Sequence, residues 1–437
     1  MTISRRQALM TTLFGAGAVG LRALATGLPA AFFLNPRKAM AGGCPDASKA
    51  QFFILATSAG GDPIGMNAPG TYDDPALSGF VHAQPSDGSM DPTKLTMGGK
   101  SFTAARPWST LPQEVLDRTL FWHIMTNTPV HPKEPEVLKL MGTAANHEML
   151  PSLLAKAVAP CLSTIQTQPL AIGAAGPGEA LSFNGQTMPI IPPSALRDTL
   201  VNPNGPLTNL QALRDQAMGQ IYDVYKNGAS PSQKAYIDAM VNTQQQVRSL
   251  NQNLLAQLAS IKAGDNSVAA QITAAVTMIQ MNVAPVISIH IPFGGDNHSD
   301  GGLAKETSDT IAGVASIASL MTTLKSAGLG DKVTFLSLNV FGRTAGAKYT
   351  NGRTHNPNLQ TSITIGKPWK GGVIGGVAPV GGDFGCTAID SKTGAGGASG
   401  DVTPVSTLAS FGQTLLASVG ADTSLIVSGT VIAGALA

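Results

Sequence analysis

The chain has few charged residues, few aromatic residues and almost no cysteine. Asp, Glu, Lys and Arg make up 12% of its 437 residues, and the formal net charge is only +2. No cluster of Lys and Arg occurs beyond the N-terminus, which argues against a nucleic-acid-binding protein. The scarcity of charge, together with 49 Gly and 29 Pro residues, is typical of an exported globular protein. The length allows one large α/β domain with insertions, or two domains, with a substantial core.

Only three cysteines are present, at positions 44, 161 and 386. They allow one disulfide at most, and their spacing does not resemble that of a zinc site. In an oxidising compartment we expect Cys161 to pair with Cys386, because Cys44 lies in the N-terminal segment of the mature chain, which we expect to be flexible.

One long apolar run occurs at the N-terminus, over residues 13–34, and it follows the pair Arg5-Arg6. The small residues around Ala41 then provide a cleavage site. This anatomy predicts a twin-arginine signal peptide over residues 1–41, recognised by the export machinery, and a periplasmic or extracellular mature protein. An ordinary secretory signal, an uncleaved anchor and a lipoprotein signal are the alternatives.

The mature chain alternates between apolar β-branched runs and segments of helical periodicity. Strands are predicted at residues 51–56, 119–125, 168–171, 286–291, 333–338 and 361–365, and the main helices at residues 134–141, 146–159, 268–283, 303–326 and 405–419. The alternation predicts a single α/β domain over residues 42–437, with a mostly parallel sheet sandwiched by helices. Two amphipathic segments predict a helical hairpin insertion at about residues 206–263. It either covers one side of the sheet or serves as a partner-binding arm.

The strand–helix–strand pattern of residues 286–338 predicts a parallel crossover, with the ends of its two strands side by side. Polar residues follow the predicted strands, and parallel strands bring such residues to one edge of a sheet. We therefore expect four metal ligands to converge there: Asp62, Asp296, His298 and His355. Two carboxylates and two imidazoles suit a divalent ion, such as zinc or manganese, with calcium as a further candidate.

Two further residues are expected beside this site as catalytic groups. Arg343 would clamp a phosphate or sulfate anion, and His131 would lie nearby. In the competing interpretation, Asp62 caps a turn, the histidines bond to loop carbonyls, and Arg343 pairs with a carboxylate to hold the loops. His123 lies within an apolar strand and is expected to be a core residue.

Several short motifs occur along the chain in a fixed order. They are Gly60-Gly61-Asp62, Gly294-Gly295-x-x-His298, Phe341-Gly342-Arg343-Thr344, Gly352-Arg353-x-His355 and a Lys-Gly-Gly turn at residues 370–372. With the twin-arginine signal, the set resembles a bacterial exported family catalogued as domain of unknown function 1501. This resemblance implies an alkaline phosphatase/sulfatase-like fold with divalent metals bound by Asp and His at the strand ends. The implied activity is metal-dependent hydrolysis of a small anionic phosphate or sulfate ester.

The chain departs from the family pattern at three positions. Val340 stands where Glu is usual, Thr354 where Asp is usual, and Val130 where Ser is common. Because hydrolysis of this kind needs metal ligands and an activated nucleophile, we expect a reduced metal site. The alternative is a non-catalytic periplasmic or surface protein that uses the same fold for binding or as a scaffold.

Overall fold

The structure, a computed structural model, describes residues 44–173, 180–201 and 252–437, together with a few single positions between 220 and 234. The predicted signal peptide and most of the predicted helical hairpin lie outside the described residues. Among the helices that are described, none is long and apolar enough to cross a membrane.

An eight-stranded sheet forms the centre of the molecule. Its strands are β1 (Phe52–Ser58), β2 (Thr119–Ile124), β3 (Leu170–Ile172), β4 (Ile190–Ile191), β5 (Val286–Ile289), β6 (Val333–Asn339), β7 (Gln360–Ile365) and β8 (Gly372–Ile374). The spatial order is β8-β2-β7-β6-β1-β5-β3-β4. The six strands predicted from the sequence are all present, with ends shifted by a few residues.

The described α-helices are α1 (Gln113–Leu116), α2 (Glu134–Leu138), α3 (Leu150–Leu162), α4 (Pro193–Val201), α5 (Gln252–Ala259), α6 (Val268–Gln280), α7 (Ala304–Ser326) and α8 (Thr407–Ser418). The described residues also form five two-stranded ribbons, which pair Pro92–Met97 with Lys100–Ala105, Ser182–Phe183 with Gln186–Thr187, Gly342–Arg343 with His355–Asn356, Val377–Val380 with Asp383–Cys386, and Ala388–Ile389 with Gly396–Gly397.

Seven of the eight central strands run in the same direction, and β7 is antiparallel to both its neighbours, β6 and β2. The prediction of a mostly parallel sheet is therefore confirmed. The prediction that β5 and β6 lie side by side is wrong, because β1 lies between them and pairs in parallel with both. All seven residues of β1 are buried, and apolar side chains on both faces make it suited to the middle of a parallel sheet.

Helices cover both faces of the sheet. Along β1, Phe52 and Ile54 belong to one core cluster with residues of α6 and α7, whereas Phe53 and Leu55 belong to a second cluster with residues of α3 and α8. Because successive side chains of a strand point to opposite faces, these clusters are the two layers of a helix–sheet–helix sandwich. The described residues thus form the predicted α/β architecture.

The disulfide prediction is wrong. Cys44 is bonded to Cys161, at the end of α3, with the two Cα atoms 4.7 Å apart. Cys386 is a buried free cysteine in a separate small core cluster with Met66 and Phe80, and burial raises the pKa of its thiol to about 12. The start of the described part of the chain is therefore fixed to α3 by a covalent bond.

Candidate metal centre

Polar side chains from three loops meet at the edge of the sheet formed by the carboxyl ends of the parallel strands. His131 follows β2, and Asp296 and His298 follow β5. His355 instead precedes β7, which is antiparallel, so the start of β7 lies at the same edge as the ends of its neighbours. The topology thus brings these four residues together from distant parts of the sequence.

The four side chains form one compact group. A ligand atom from each of His131, Asp296, His298 and His355 lies within 4.8 Å of the others. The Nε2 atom of His298 is 2.8 Å from Nε2 of His355 and 3.1 Å from a carboxylate oxygen of Asp296. Nε2 of His131 lies 3.4 Å from the other oxygen of Asp296. The side chains of His131, Asp296 and His298 remain 31%, 49% and 43% exposed, so the group is open to solvent.

Backbone carbonyls orient two of the three imidazoles. Nδ1 of His131 lies 2.6 Å from the carbonyl oxygen of Ala59, and Nδ1 of His355 bonds to the carbonyl of Pro129. Because a carbonyl only accepts hydrogen bonds, each Nδ1 carries a proton, and Nε2 is the ring nitrogen that faces the group. Metal-ligating histidines are held in this way, with the second ring nitrogen bonded to a carbonyl or carboxylate.

The buried ring of Phe341 supports the same histidines. It stacks on His355, with ring centroids 4.2 Å apart, and contacts the edge of His131 at 4.9 Å. Gly61 packs against this ring with a φ of +64°, and a Cβ atom at Gly61 would lie 2.2 Å from the phenyl carbon Cε2. Glycine is therefore required at this position for the loop after β1 to reach the site.

A single divalent ion fits the four ligand atoms. Ligands at about 2.0–2.1 Å from a tetrahedral ion lie about 3.3–3.4 Å from one another. Three distances between the ligand atoms, 2.8, 3.1 and 3.4 Å, lie near that spacing. No two ligand atoms of the group are more than 4.8 Å apart. Small rotations of these part-exposed side chains would bring the more distant ligand atoms to the required spacing. The group can hold a metal ion.

Charges around the site keep two of the groups in the protonation state that binds metal. Burial acts to raise the pKa of Asp296, but the hydrogen bond and charge of Arg343, with smaller effects of His298 and His131, hold this pKa below its ordinary value. The pKa of His355 is also lowered, mainly by burial, with smaller effects of the charges of Arg343, His131 and His298, while its hydrogen bond to Pro129 opposes the shift. A carboxylate and a neutral imidazole are the forms that ligate metals.

Arg343 lies beneath the group and is completely buried. Its Nη2 donates a 2.9 Å hydrogen bond to Asp296 and also bonds to the carbonyls of Gly60 and Gly295, while Nε donates to the carbonyl of Gly61 at 2.7 Å. These contacts match the competing interpretation, in which Arg343 pairs with a carboxylate and holds the loops. Its direct contact with a substrate anion stays a prediction.

Asp62 is placed differently from the four clustered residues. It is 3% exposed, and its Oδ1 accepts hydrogen bonds from the backbone N–H groups of Phe293 and Gly295, at 3.2 and 2.5 Å. Its Oδ2 is buried and has no hydrogen-bond partner among the residues that the structure describes. Asp62 therefore shapes the turn that leads to Asp296, and its role as a metal ligand stays a prediction.

Sequence reasoning missed Glu306, which lies directly behind the site. Glu306 and Arg353 are both 0% exposed and form an ion pair, with Nε of Arg353 2.6 Å from Oε2 of Glu306. The sequence does contain a pattern that could have identified Glu306, because its helical spacing places it on the same face of α7 as the apolar residues. Thr310, Gly313, Ile317, Leu320 and Leu324 are the buried residues that continue this face. A charge on a helix face that is otherwise buried indicates a paired internal group.

Residues 199–393 match the family model described as Protein of unknown function (DUF1501). The match supports the family to which the motifs point. It includes Asp296, His298 and His355 as well as Glu306, whereas His131 and Asp62 precede it. No curated protein matches the chain.

Proposed function

We propose that the protein is an exported, metal-dependent hydrolase of phosphate or sulfate esters, built on an alkaline phosphatase/sulfatase-like fold. The observation that carries this proposal is the part-exposed group of His131, Asp296, His298 and His355 at the carboxyl edge of a mostly parallel sheet. Open α/β sheets bind their ligands at this edge. With all four residues bound to a zinc ion, a substrate oxygen would take a fifth position, which zinc can accept during a reaction and which the solvent exposure of the group leaves accessible.

The donor set favours zinc over the other ions. Three imidazole nitrogens and one carboxylate oxygen suit a borderline ion such as zinc, with manganese as the second choice. Calcium prefers six to eight oxygen ligands, and this group offers one residue with oxygen donors. The site is thus a reduced one, with a single ion.

In this proposal the side chains of the site bind the metal ion and orient its ligands. A divalent ion held by the group would act as a Lewis acid on the phosphoryl or sulfuryl oxygen of the ester. The exposure of Asp296 and His298 leaves an approach for a small anionic substrate and for water. Arg343 acts from below, because its hydrogen bond fixes the Asp296 carboxylate and its charge keeps that carboxylate ionised.

A non-catalytic binding protein is the second candidate, and the three departures from the family pattern favour it. Valine has neither a carboxylate nor a hydroxyl group, so positions 340 and 130 supply no metal ligand or nucleophile. Val340 is completely buried and Val130 is 46% exposed. Thr354 is exposed, and the oxygen of its hydroxyl group lies 3.5 Å from the hydroxyl of Thr344. On this alternative the ion would be bound without ester turnover.

The first experiment measures metal content and affinity. The full chain would be purified from its exported fraction, analysed for bound metals, and titrated with Zn²⁺ in competition with a chromophoric chelator. We expect about one zinc per chain. His355→Ala should weaken zinc binding by more than the 10–100-fold that loss of an outer hydrogen bond costs, because it removes a ligand. His147→Ala, at an exposed histidine outside the group, should leave the affinity unchanged.

Turnover of an aryl phosphate and an aryl sulfate by the same preparations separates the two candidates. Zinc-dependent turnover that His355→Ala abolishes supports the hydrolase. Stoichiometric zinc without turnover of either ester supports the binding protein. If the wild-type protein binds neither zinc nor manganese, both the metal centre and the hydrolase are refuted.

A further inference from the structure

The carboxylate of Glu306 has all its acceptor positions occupied. Oε1 accepts hydrogen bonds from Nδ2 of Asn67, at 2.8 Å, and from Nη2 of Arg353, at 2.9 Å. Oε2 accepts from Nδ2 of Asn297, at 3.1 Å, and from Nε of Arg353, at 2.6 Å. An ionised carboxylate has about four such positions, so this buried charge is fully hydrogen-bonded.

Two of these partners belong to the loops that carry the metal ligands. Asn297 stands between Asp296 and His298, and Arg353 precedes His355 by two residues. Glu306 itself lies in the first turn of α7, a rigid element of the sandwich. One side chain on a helix therefore joins the loop after β5 to the loop before β7.

The two loops also touch through their backbones. The N–H of Arg353 donates a 3.0 Å hydrogen bond to the carbonyl of Asn297. Gly352 has a φ of +122°, and a Cβ atom added to it would lie 2.2 Å from the carbonyl oxygen of His298. This contact is close enough that the position of one loop determines the position of the other.

We propose that Glu306 is a positioning residue, which holds the loops of Asn297 and Arg353 together so that His298 and His355 converge before any ion binds. The inference rests on the proposed function in one respect, namely that the ion binds at this group. Ligands that are already in place lose less conformational freedom on binding. Glu306 therefore sets the affinity of the site without contacting the ion.

The sharpest test removes one hydrogen bond at a time from the same carboxylate. Asn297→Ala deletes the bond between Glu306 and a ligand loop, whereas Asn67→Ala deletes a bond of similar length from a segment that carries none of the four clustered residues. We expect Asn297→Ala to weaken Zn²⁺ binding by about 10–100-fold, as removal of outer-shell partners does, and Asn67→Ala to change it by less than about twofold. Glu306→Gln, which places an amide N–H against these donors, should weaken binding more than Asn297→Ala does.

A second measurement does not depend on the ion. In the metal-free protein, Asn297→Ala should speed the amide hydrogen exchange of the peptide that contains Arg353, and Asn67→Ala should not. Equal zinc affinity of the wild-type and Asn297→Ala proteins would overturn the proposal, as would an equal loss in both alanine variants. If the wild-type protein binds neither zinc nor manganese, the proposed function fails, and the exchange comparison alone then decides whether Glu306 holds the loops.

Discussion

His123 gives the protein a defined sensitivity to acid. The residue lies in β2 and is 0% exposed. Its Nε2 is 3.3 Å from the carbonyl of Pro69, and its Nδ1 has no hydrogen-bond partner within the described ranges. Burial disfavours the charged imidazolium and lowers the pKa of His123 from 6.5 to about 4. The prediction that His123 is a core residue is thus confirmed, although only one of its two ring nitrogens has a hydrogen-bond partner among the described residues.

The pKa difference sets the sign and the size of the effect. Between pH 6.5 and pH 4 the unfolded state binds more protons at this position than the folded state, so the free energy of unfolding falls as the pH is lowered through this window. The two pKa values differ by about 2.5, which corresponds to about 3 kcal/mol at full effect. Between pH 7 and pH 4.5 the expected loss from this group is about 2.5 kcal/mol.

The assay compares His123→Gln with the wild-type protein. Glutamine does not titrate, and its amide can donate to the same carbonyl, so any cost of the substitution itself is independent of pH. The free energy of unfolding, measured with urea at pH 7 and pH 4.5, should fall by about 2.5 kcal/mol less in the variant. A difference between the two proteins of under about 0.5 kcal/mol would refute the reasoning. His82→Gln is a second test, because burial also lowers the pKa of His82 to about 4.

Two predictions concern the N-terminal part of the chain. The Cys44–Cys161 bond closes a loop with a sequence separation of 117, so Cys44→Ser and Cys161→Ser should each lower the free energy of unfolding by about 5 kcal/mol in non-reducing buffer. The double variant should lose no more than either single variant. Mass mapping that finds Cys386 in a disulfide would contradict the pairing. Replacing Arg5 and Arg6 with Lys should stop export by the twin-arginine route. Because the replacement keeps the charge, an ordinary secretory signal would still function. The measurement is the amount of periplasmic protein in fractionated cultures, and wild-type amounts would exclude the twin-arginine route.

The order of the strands shows where sequence reasoning reached its limit. The spacing of β5, α7 and β6 correctly indicated a parallel crossover, but it did not reveal that β1 lies between the two strands. The order of strands in a sheet is a non-local property, because it depends on contacts between segments that are far apart in the sequence. The placement of Cys44 beside Cys161 is a non-local result of the same kind.

The candidate site likewise has residues that the sequence indicated and contacts that only the structure shows. The sequence indicated four ligands, Asp62, Asp296, His298 and His355, and the clustered group contains the last three of them. His131 was expected as a catalytic neighbour, and the structure adds its ring to the same group. Arg343 was expected to face an anion, but its position beneath Asp296 depends on the carbonyls of Gly60, Gly61, Gly295 and Arg353, which no local pattern predicts.

By itself, the sequence determined the elements of this protein. Hydrophobic periodicity is a local property, and it identified six of the eight strands of the central sheet and its main helices, but not the short strands β4 and β8. Tertiary structure decided which loops meet. The antiparallel direction of β7 delivers His355 to the edge where β2 and β5 deliver His131 and His298, and the buried carboxylate of Glu306 joins two of those loops from behind. These contacts form only when the sheet is complete, because each of them links residues that are far apart in the chain.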